Sequence, residues 1–382
     1  MKKYLQKIVC LSVLSCIVLT GCSRQPEVHS SVDTAMGTII SQTVYISPEA
    51  GISFDREELS QPVGQITDEI LASIVSLEKE VLSWRLDTSE IYRINANAGN
   101  GQAMALSDKL FSVLEQCNEV YLASGGAFDI TIGNLARLWD IDTWASGQQV
   151  ILGQNVQSAE SASERNVSEG NASEDKKEGF VPPTTEAIEK AMLNSGADKL
   201  SLEGQCITVP AGMQLDLGAV GKGIVLDAVQ DILAKHSEVT GAVISAGGSI
   251  LTYGCKPNGS SWNVAIVDPF DTTRNIGILK LNGQWCVSTS GDYERFVEVD
   301  GKRYHHILDP ATGYPADSGV KSVTILTDSG LYSDALSTAC FVLGVEDGLR
   351  LAESFRAEAL FVDTEGEIYM TEGMSAYFQK AK

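Results

Sequence analysis

Four short stretches of the chain combine residue types and spacings that could do chemistry. Leu215-Asp216-Leu217-Gly218-Ala219-Val220-Gly221-Lys222-Gly223-Ile224 reads as a strand end, a glycine-rich loop, a lysine and the start of a helix. That order suits a diphosphate: glycines expose backbone N–H groups at a helix N-terminus, and the lysine adds a point charge. It is neither a Walker A loop, since no Ser or Thr follows Gly221-Lys222, nor a G-x-G-x-x-G fingerprint. An ordinary strand-to-helix turn needing glycine for positive φ would look the same. In Ser333-Asp334-Ala335-Leu336-Ser337-Thr338, Asp334 and Thr338 stand four apart, so on a helix their carboxylate and hydroxyl share a face. With a main-chain carbonyl and diphosphate oxygens they would form an all-oxygen site suited to Mg²⁺. The alternative is that Asp334 caps the helix and Thr338 bonds back to it.

Tyr304-His305-His306-Ile307-Leu308-Asp309-Pro310-Ala311-Thr312-Gly313 holds two of the chain's four histidines. Neighbours on a strand face opposite sides, so at most one of His305 and His306 enters a site while the other packs or is solvated. Histidine titrates near neutrality and would serve as base for an attacking hydroxyl. Zinc is the weaker reading, because no third His or Cys stands at ligand spacing. The run from Gly125 to Gly133 places small residues around Phe128 and Asp129. Asp129 would accept hydrogen bonds from a ligand ring or ribose, or cap the segment Asn134 to Trp139.

These residues need elements to carry them. Ile66, Ile70, Ile74, Leu77 and Val81 recur every three or four positions, as do Leu110, Leu114, Cys117 and Tyr121 after the N-cap candidate Ser107, so each series predicts a helix with one face on a core. Further helical patterns cover Ile188 to Met192, Ile224 to Ala234, Tyr332 to Leu343 and Glu346 to Phe355. Ala35 to Ile40 opens an expected strand, and the second half is strand-rich, with β-branched runs at Ala242 to Ile244, Val264 to Val267, Ile276 to Leu281, Val323 to Leu326 and Leu360 to Val362. Asp300-Gly301 predicts a hairpin joining Phe296–Val299 to Tyr304–Ile307. Neither a repeat of 20 to 50 residues nor strict βαβ alternation is visible. The expected fold class is α+β with antiparallel sheets, and a doubly wound nucleotide fold is disfavoured.

Composition bounds the function. Lys and Arg number 28 against 50 Asp and Glu, a net charge of -22, and such a field repels phosphate backbones, so no nucleic-acid partner is expected. Lys2, Lys3 and Lys7 precede an apolar run from Ile8 to Leu19 that is too short to span a bilayer, which reads as a signal peptide over residues 1–21. It ends in Leu19-Thr20-Gly21-Cys22, resembling a bacterial lipobox in which Cys22 carries the lipid. The expected location is therefore the bacterial cell envelope, extracytoplasmic and lipid-anchored to a membrane. A polar tether is expected over 22–34 and one catalytic body over 35–382, interrupted by a disordered acidic insertion at 146–180 that is too poor in apolar residues to offset its ordering entropy. The five later cysteines are widely spaced and odd in number, which does not suggest a disulfide scaffold, and Cys117 and Cys340, in helix-like apolar patterns, read as buried thiols.

Taken in register along nearly the whole mature chain, these stretches resemble the ApbE family of flavin transferases. The series is Met36-Gly37-Thr38, Thr88-Ser89-Glu90-Ile91 with Asn95, Gly126 to Thr131 with Leu138-Trp139, Asp216 to Asp227, Ser245 to Ser249, Trp262 to Pro269, Ser288 to Tyr293, His305 to Gly313, and Asp334 to Thr338. The resemblance implies a T-fold-like body with helices flanking antiparallel sheets, which binds FAD as substrate with Mg²⁺. By family pattern Met36, Trp84, Ala127, Phe128, Asp129, Asp216, Lys222 and Ile307 contact the flavin nucleotide, and the Ala219 carbonyl, Asp334 and Thr338 hold the metal. Trp84 departs from the tyrosine often found there, though a ring can still stack on it. The implied reaction transfers FMN from FAD to a threonine hydroxyl of an acceptor protein and releases AMP. Family position assigns His306, rather than His305, to assist that hydroxyl. The implied acceptor segment is Asp/Ser-Gly-x-Thr/Ser-Gly/Ala-Thr, typically on subunits of membrane redox complexes. Two rivals use the same residues: an FAD pyrophosphatase that employs water, and a non-catalytic FAD-binding lipoprotein.

Overall fold

A computed structural model of the protein describes residues 26–47, 62–145 and 179–381. The signal-like segment, Cys22 and all of the expected insertion except Gly179 and Phe180 lie outside these residues. Phe180 belongs to the body: it is buried and packs its ring 5.8 Å from those of Trp144 and Tyr304.

One antiparallel sheet of eight strands forms the centre, and its spatial order is the chain order. The strands are β1 (Glu27–Ala35), β2 (Thr38–Ile46), β3 (Val239–Ala246), β4 (Ser249–Gly254), β5 (Trp285–Gly291), β6 (Val320–Thr327), β7 (Glu358–Asp363) and β8 (Ile368–Met370). The helices are α1 (Pro62–Leu77), α2 (Glu90–Ala96), α3 (Asp108–Ala123), α4 (Gly133–Trp139), α5 (Thr185–Met192), α6 (Gly221–Lys235), α7 (Gly330–Leu343) and α8 (Val345–Ser354). Both faces of the sheet are covered. Cys286, Val323, Ile325, Ala359 and Phe361 point into the main core with α6 and α7, while Val287, Leu326, Leu360 and Val362 point into a second core. That second core is closed by a three-stranded sheet made of Trp262–Asp268, Asp271–Leu281 and Phe378–Lys380. The period of two sends neighbours to opposite faces, and because both faces are dry the strands read as continuous apolar runs. This is the α+β architecture expected.

Local signals hold where they are strong. Ser107 Oγ accepts the N–H of Leu110 at 3.2 Å, and Thr184 and Ser89 cap α5 and α2 in the same way. Asp300 and Gly301 both take positive φ and join Phe296–Val299 to a partner strand. That strand is Lys302–His305, two residues earlier than expected, because a two-residue turn pairs the chain immediately. The expected tether differs more: from Glu27 onward it is an edge strand, paired along its whole length with β2. Most of its side chains are exposed, so main-chain hydrogen bonds hold it and hydropathy gives no sign of it. The strand expected to open at Ala35 is instead two strands joined by Met36 and Gly37, at φ 54 and 67, the type I′ pattern. Cys117, Cys206, Cys255, Cys286 and Cys340 are free thiols, and burial pushes those of Cys117 and Cys340 up to about 12.

Candidate active site

Helices α6 and α7 cross at a pair of glycines. A Cβ on Gly223 would stand 2.0 Å from the Gly330 carbonyl oxygen, and one on Gly330 would stand 2.2 Å from that of Gly223. Neither Gly218, Gly221 nor Gly223 has positive φ, so the turn reading fails and the last glycine of Gly-Lys-Gly answers to a helix crossing. Further along α6, Asp227 accepts the N–H groups of Gly330 at 2.5 Å and Leu331 at 2.9 Å, which satisfies orphan donors at the start of α7.

That crossing carries Asp334 beneath the first turn of α6. Its Oδ2 accepts the Gly223 N–H at 2.6 Å and its Oδ1 accepts the Ser249 hydroxyl at 2.6 Å. The N-cap of α7 is Ser329, so Asp334 is no cap; it is an interior helix residue only 3% exposed, its charge met by the dipole of α6. Ser333 and Ser337 return their hydroxyls to the helix and also meet Ser288 and Ser290 of β5 at 2.8 Å. Thr338 differs, being partly exposed with a hydroxyl that makes no hydrogen bond among the described residues. No three His, Cys, Asp or Glu side chains converge on a metal-sized space among the described residues. A carboxylate, a free hydroxyl and the carbonyl of exposed Ala219 are all oxygen donors, the chemistry that would suit a hard divalent cation whose shell water or phosphate completes.

The loop before α6 is pinned from outside. Buried Asn95 donates to the Leu215 carbonyl at 2.9 Å and accepts the Leu215 N–H at 2.7 Å, while Asp216 N–H donates to the Ile130 carbonyl at 2.7 Å. Asp216 itself accepts the Gly218 N–H at 2.7 Å; burial raises its carboxyl, against the pull of that bond and of Arg137. Above the loop stands the Met36-Gly37 turn, with the Met36 methyl 3.2 Å from where a Cβ on Gly221 would lie. Methionine at positive φ is strained, and the strain is held by the Met36 N–H donating to Glu78 Oε2 at 2.9 Å. Glu78 opens a π-helical turn, Glu78–Leu82, at the end of α1.

The two histidines part company. His305 is buried: its Nε2 lies 3.0 Å from the Ala316 carbonyl, its Nδ1 accepts the Ile307 N–H at 3.3 Å, and its ring meets the edge of Phe341. Both nitrogens are spent on main chain, so His305 has no lone pair for a substrate. His306 Nδ1 lies 3.2 Å from the Arg295 carbonyl, which can only accept, so this nitrogen carries the proton and Nε2 is left as a base. Burial, then the charge of Arg295, hold the His306 imidazole well below the usual histidine range, so it stays neutral. Lys222 acts on His306 and also on Glu294, whose carboxyl burial raises while Lys222 and Arg295 pull it down.

The other expected contacts divide. Lys222, Met36, Asp216, Ala219 and Asp334 surround the first turn of α6. Phe128 and Ile307 point their side chains into the main core, which leaves a ligand only their main chain. Ala127 is half-buried in the same turn. Asp129 is buried with Oδ1 taken by the N–H and hydroxyl of Thr131, so it holds its own loop. Trp84 lies under two guanidiniums, Arg85 at 4.4 Å and Arg137 at 4.5 Å from its ring centre. Glu78, Arg137 and Glu294 were not singled out from sequence; only the place of Glu294, directly after the Ser288 to Tyr293 run, was a usable signal. A cavity of about 370 Å³ opens elsewhere, lined by Leu114, Cys117, Ile130, Leu202 and Ile207, and none of the chemistry-bearing residues line it.

An antiparallel α+β body that sets a carboxylate, a free hydroxyl and a lysine around a helix N-terminus defines a class of protein built to handle phosphorylated ligands. The model of the ApbE family matches residues 36–361, and the chain belongs to that family. It is 29% identical to the FAD:protein FMN transferase of Treponema pallidum over 95% of this chain and 93% of that protein. To an FAD:protein FMN transferase of Klebsiella pneumoniae it is 32% identical over 80% of this chain and 85% of that one. The crystal structure of the Pseudomonas stutzeri flavinyl transferase ApbE, in apo form, superposes with a TM-score of 0.71 at 29% identity, covering 94% of this chain and 99% of that one.

Proposed function

We propose that this protein transfers FMN from FAD to a threonine hydroxyl of an acceptor protein, in a Mg²⁺-dependent reaction that releases AMP. The observation that carries the reading is the convergence of Asp334, Lys222 and the first turn of α6 beside a histidine whose tautomer leaves Nε2 as a base. The Gly223 N–H serves Asp334, and those of Gly221 and Lys222 would be left to meet an anion. Asp334, the Thr338 hydroxyl and the Ala219 carbonyl would hold Mg²⁺. When bound, the ion neutralises diphosphate charge.

His306 Nε2 takes the proton from the acceptor threonine as its oxygen attacks the FMN-side phosphorus. The bond from that phosphorus to the bridging oxygen breaks, and AMP leaves with the electron pair. Lys222 and the α6 N–H groups meet the charge that builds on the phosphoryl oxygens. An acceptor segment of the type Asp/Ser-Gly-x-Thr/Ser-Gly/Ala-Thr on a membrane redox subunit, and a lipid on Cys22 that tethers the enzyme outside the cytoplasm, belong to the same proposal. They are supported by the family resemblance and the lipobox pattern.

The test follows AMP release and acceptor mass with the chain from Ser23 onward, FAD and Mg²⁺. AMP together with an FMN-sized mass gain on the acceptor is the expected result. AMP released equally without acceptor makes the protein an FAD pyrophosphatase, and FAD binding with neither product makes it a carrier.

A further inference from the structure

Arg137 takes no part in the phosphoryl chemistry, yet its guanidinium is only partly satisfied. It extends from α4, half-buried, with its guanidinium 4.5 Å from the Trp84 ring centre. Nη1 donates to Gln214 Oε1 at 2.6 Å, while Nε is buried with no hydrogen-bond partner. Gln214 and Asp216 flank Leu215, which Asn95 clamps, so Arg137 is anchored to the same loop that leads into α6. It has no ion pair among the described residues, although the chain carries a charge of -22. Asp216, whose charge acts on it, is engaged with the Gly218 N–H. Arg85 shares the Trp84 ring at 4.4 Å, but it is exposed and makes no side-chain hydrogen bond among the described residues.

A buried donor without a partner is costly, and one held beside an aromatic face at the edge of a ligand site has a use when a ligand brings the acceptor. Guanidinium is planar, stacks on rings and offers donors only. The N1–C2=O side of an isoalloxazine offers two adjacent acceptors, a ring nitrogen and a carbonyl oxygen, apart from the N3–H donor. Adenine alternates donor and acceptor on its edges, and a donor-only fork matches it less well.

We propose that Arg137 is a specificity-determining residue that reads the flavin ring: its Nε–H donates to the acceptor edge of the isoalloxazine at Trp84, and Arg85 is the movable cover that the ring displaces. This rests on the FAD reading above. Gln214 then acts as a positioning residue, because it fixes the plane of the guanidinium through Nη1.

Arg137→Lys keeps the charge and most of the stem but loses the planar fork, and Arg137→Gln loses both. With the full mature chain, Arg137→Lys raises the KM for FAD and the Kd for FMN about tenfold, leaves the Kd for AMP as it was, and changes kcat by less than about twofold. Unchanged FMN and FAD affinity in Arg137→Lys overturns the proposal, as does an equal loss of affinity for AMP and FMN. Should Arg137→Gln not fold, as thermal unfolding would show, Arg137→Lys alone decides. Failure of the wild-type chain to bind FAD would sink the underlying function instead, so the two failures are told apart.

Discussion

The α6–α7 crossing and the rim at Trp84, joined through Arg137, Gln214 and the loop into α6, are built oppositely. At the crossing the buried polar groups are paired: Asp334 with Gly223 and Ser249, Asp227 with Gly330 and Leu331, and two serines of α7 with two of β5. At the rim Arg137 Nε is unpaired and Arg85 is exposed. A paired network cannot shift without exposing a charge, so it suits chemistry that needs fixed geometry. The rim has donors and faces left over, and it suits recognition of a ring that arrives from outside.

The crossing is where substitution costs most. Asp334→Ala removes the only carboxylate of the donor set, and Mg²⁺-dependent FMN transfer is expected to fall about 10³-fold or more. Undiminished turnover in that variant, measured as acceptor mass gain, would break the assignment. His306→Ala is expected to slow kcat about 10²- to 10³-fold with little change in KM for FAD, whereas His305→Ala acts through stability. A steady-state comparison in which His305→Ala loses kcat at unchanged Tm would reverse the roles of the two rings.

Gly223→Ala drives a methyl into the Gly330 carbonyl, and roughly 3 kcal/mol of stability should be lost, read from the urea midpoint. Because the His306 pKa is depressed, kcat/KM should stay level as pH falls through about 6.5, the ordinary histidine value, and decline only well below it. Arg295→Gln removes one cause of that depression and should move the acid limb upward; an unmoved limb would mean that His306 is not the titrating base.

The smallest effect lies far from both regions. His236 Nε2 is 3.1 Å from Glu69 and Nδ1 is 3.0 Å from Glu238. Partial burial lowers this imidazole, but the two carboxylates outweigh it and its pKa ends above the ordinary value. A raised folded pKa means the contribution is complete below about 6.5 and is lost as pH rises through the folded value. Both partners meet solvent, so the contribution is below about 1 kcal/mol. Comparing wild type with His236→Gln by denaturant unfolding at acid and alkaline pH should show a difference only on the acid side.

Much of this was readable along the chain. The caps at Ser89, Ser107 and Thr184, the Asp300-Gly301 turn and the apolar periods of α1, α3 and α6 are short-range physics, complete within a few residues. So were the motifs that place the chain in its family. What lay beyond reach depended on partners distant in sequence. Gly223 looks like a turn residue until Gly330 is laid against it. His305 and His306 are alike until Ala316 claims one ring and Arg295 orients the other. Glu27–Ala35 looks like a tether until β2 pairs with it. In each case the residue type states which bonds a group can make, and only long-range packing decides which of them is made, because a buried polar group takes whatever partner the fold brings within reach.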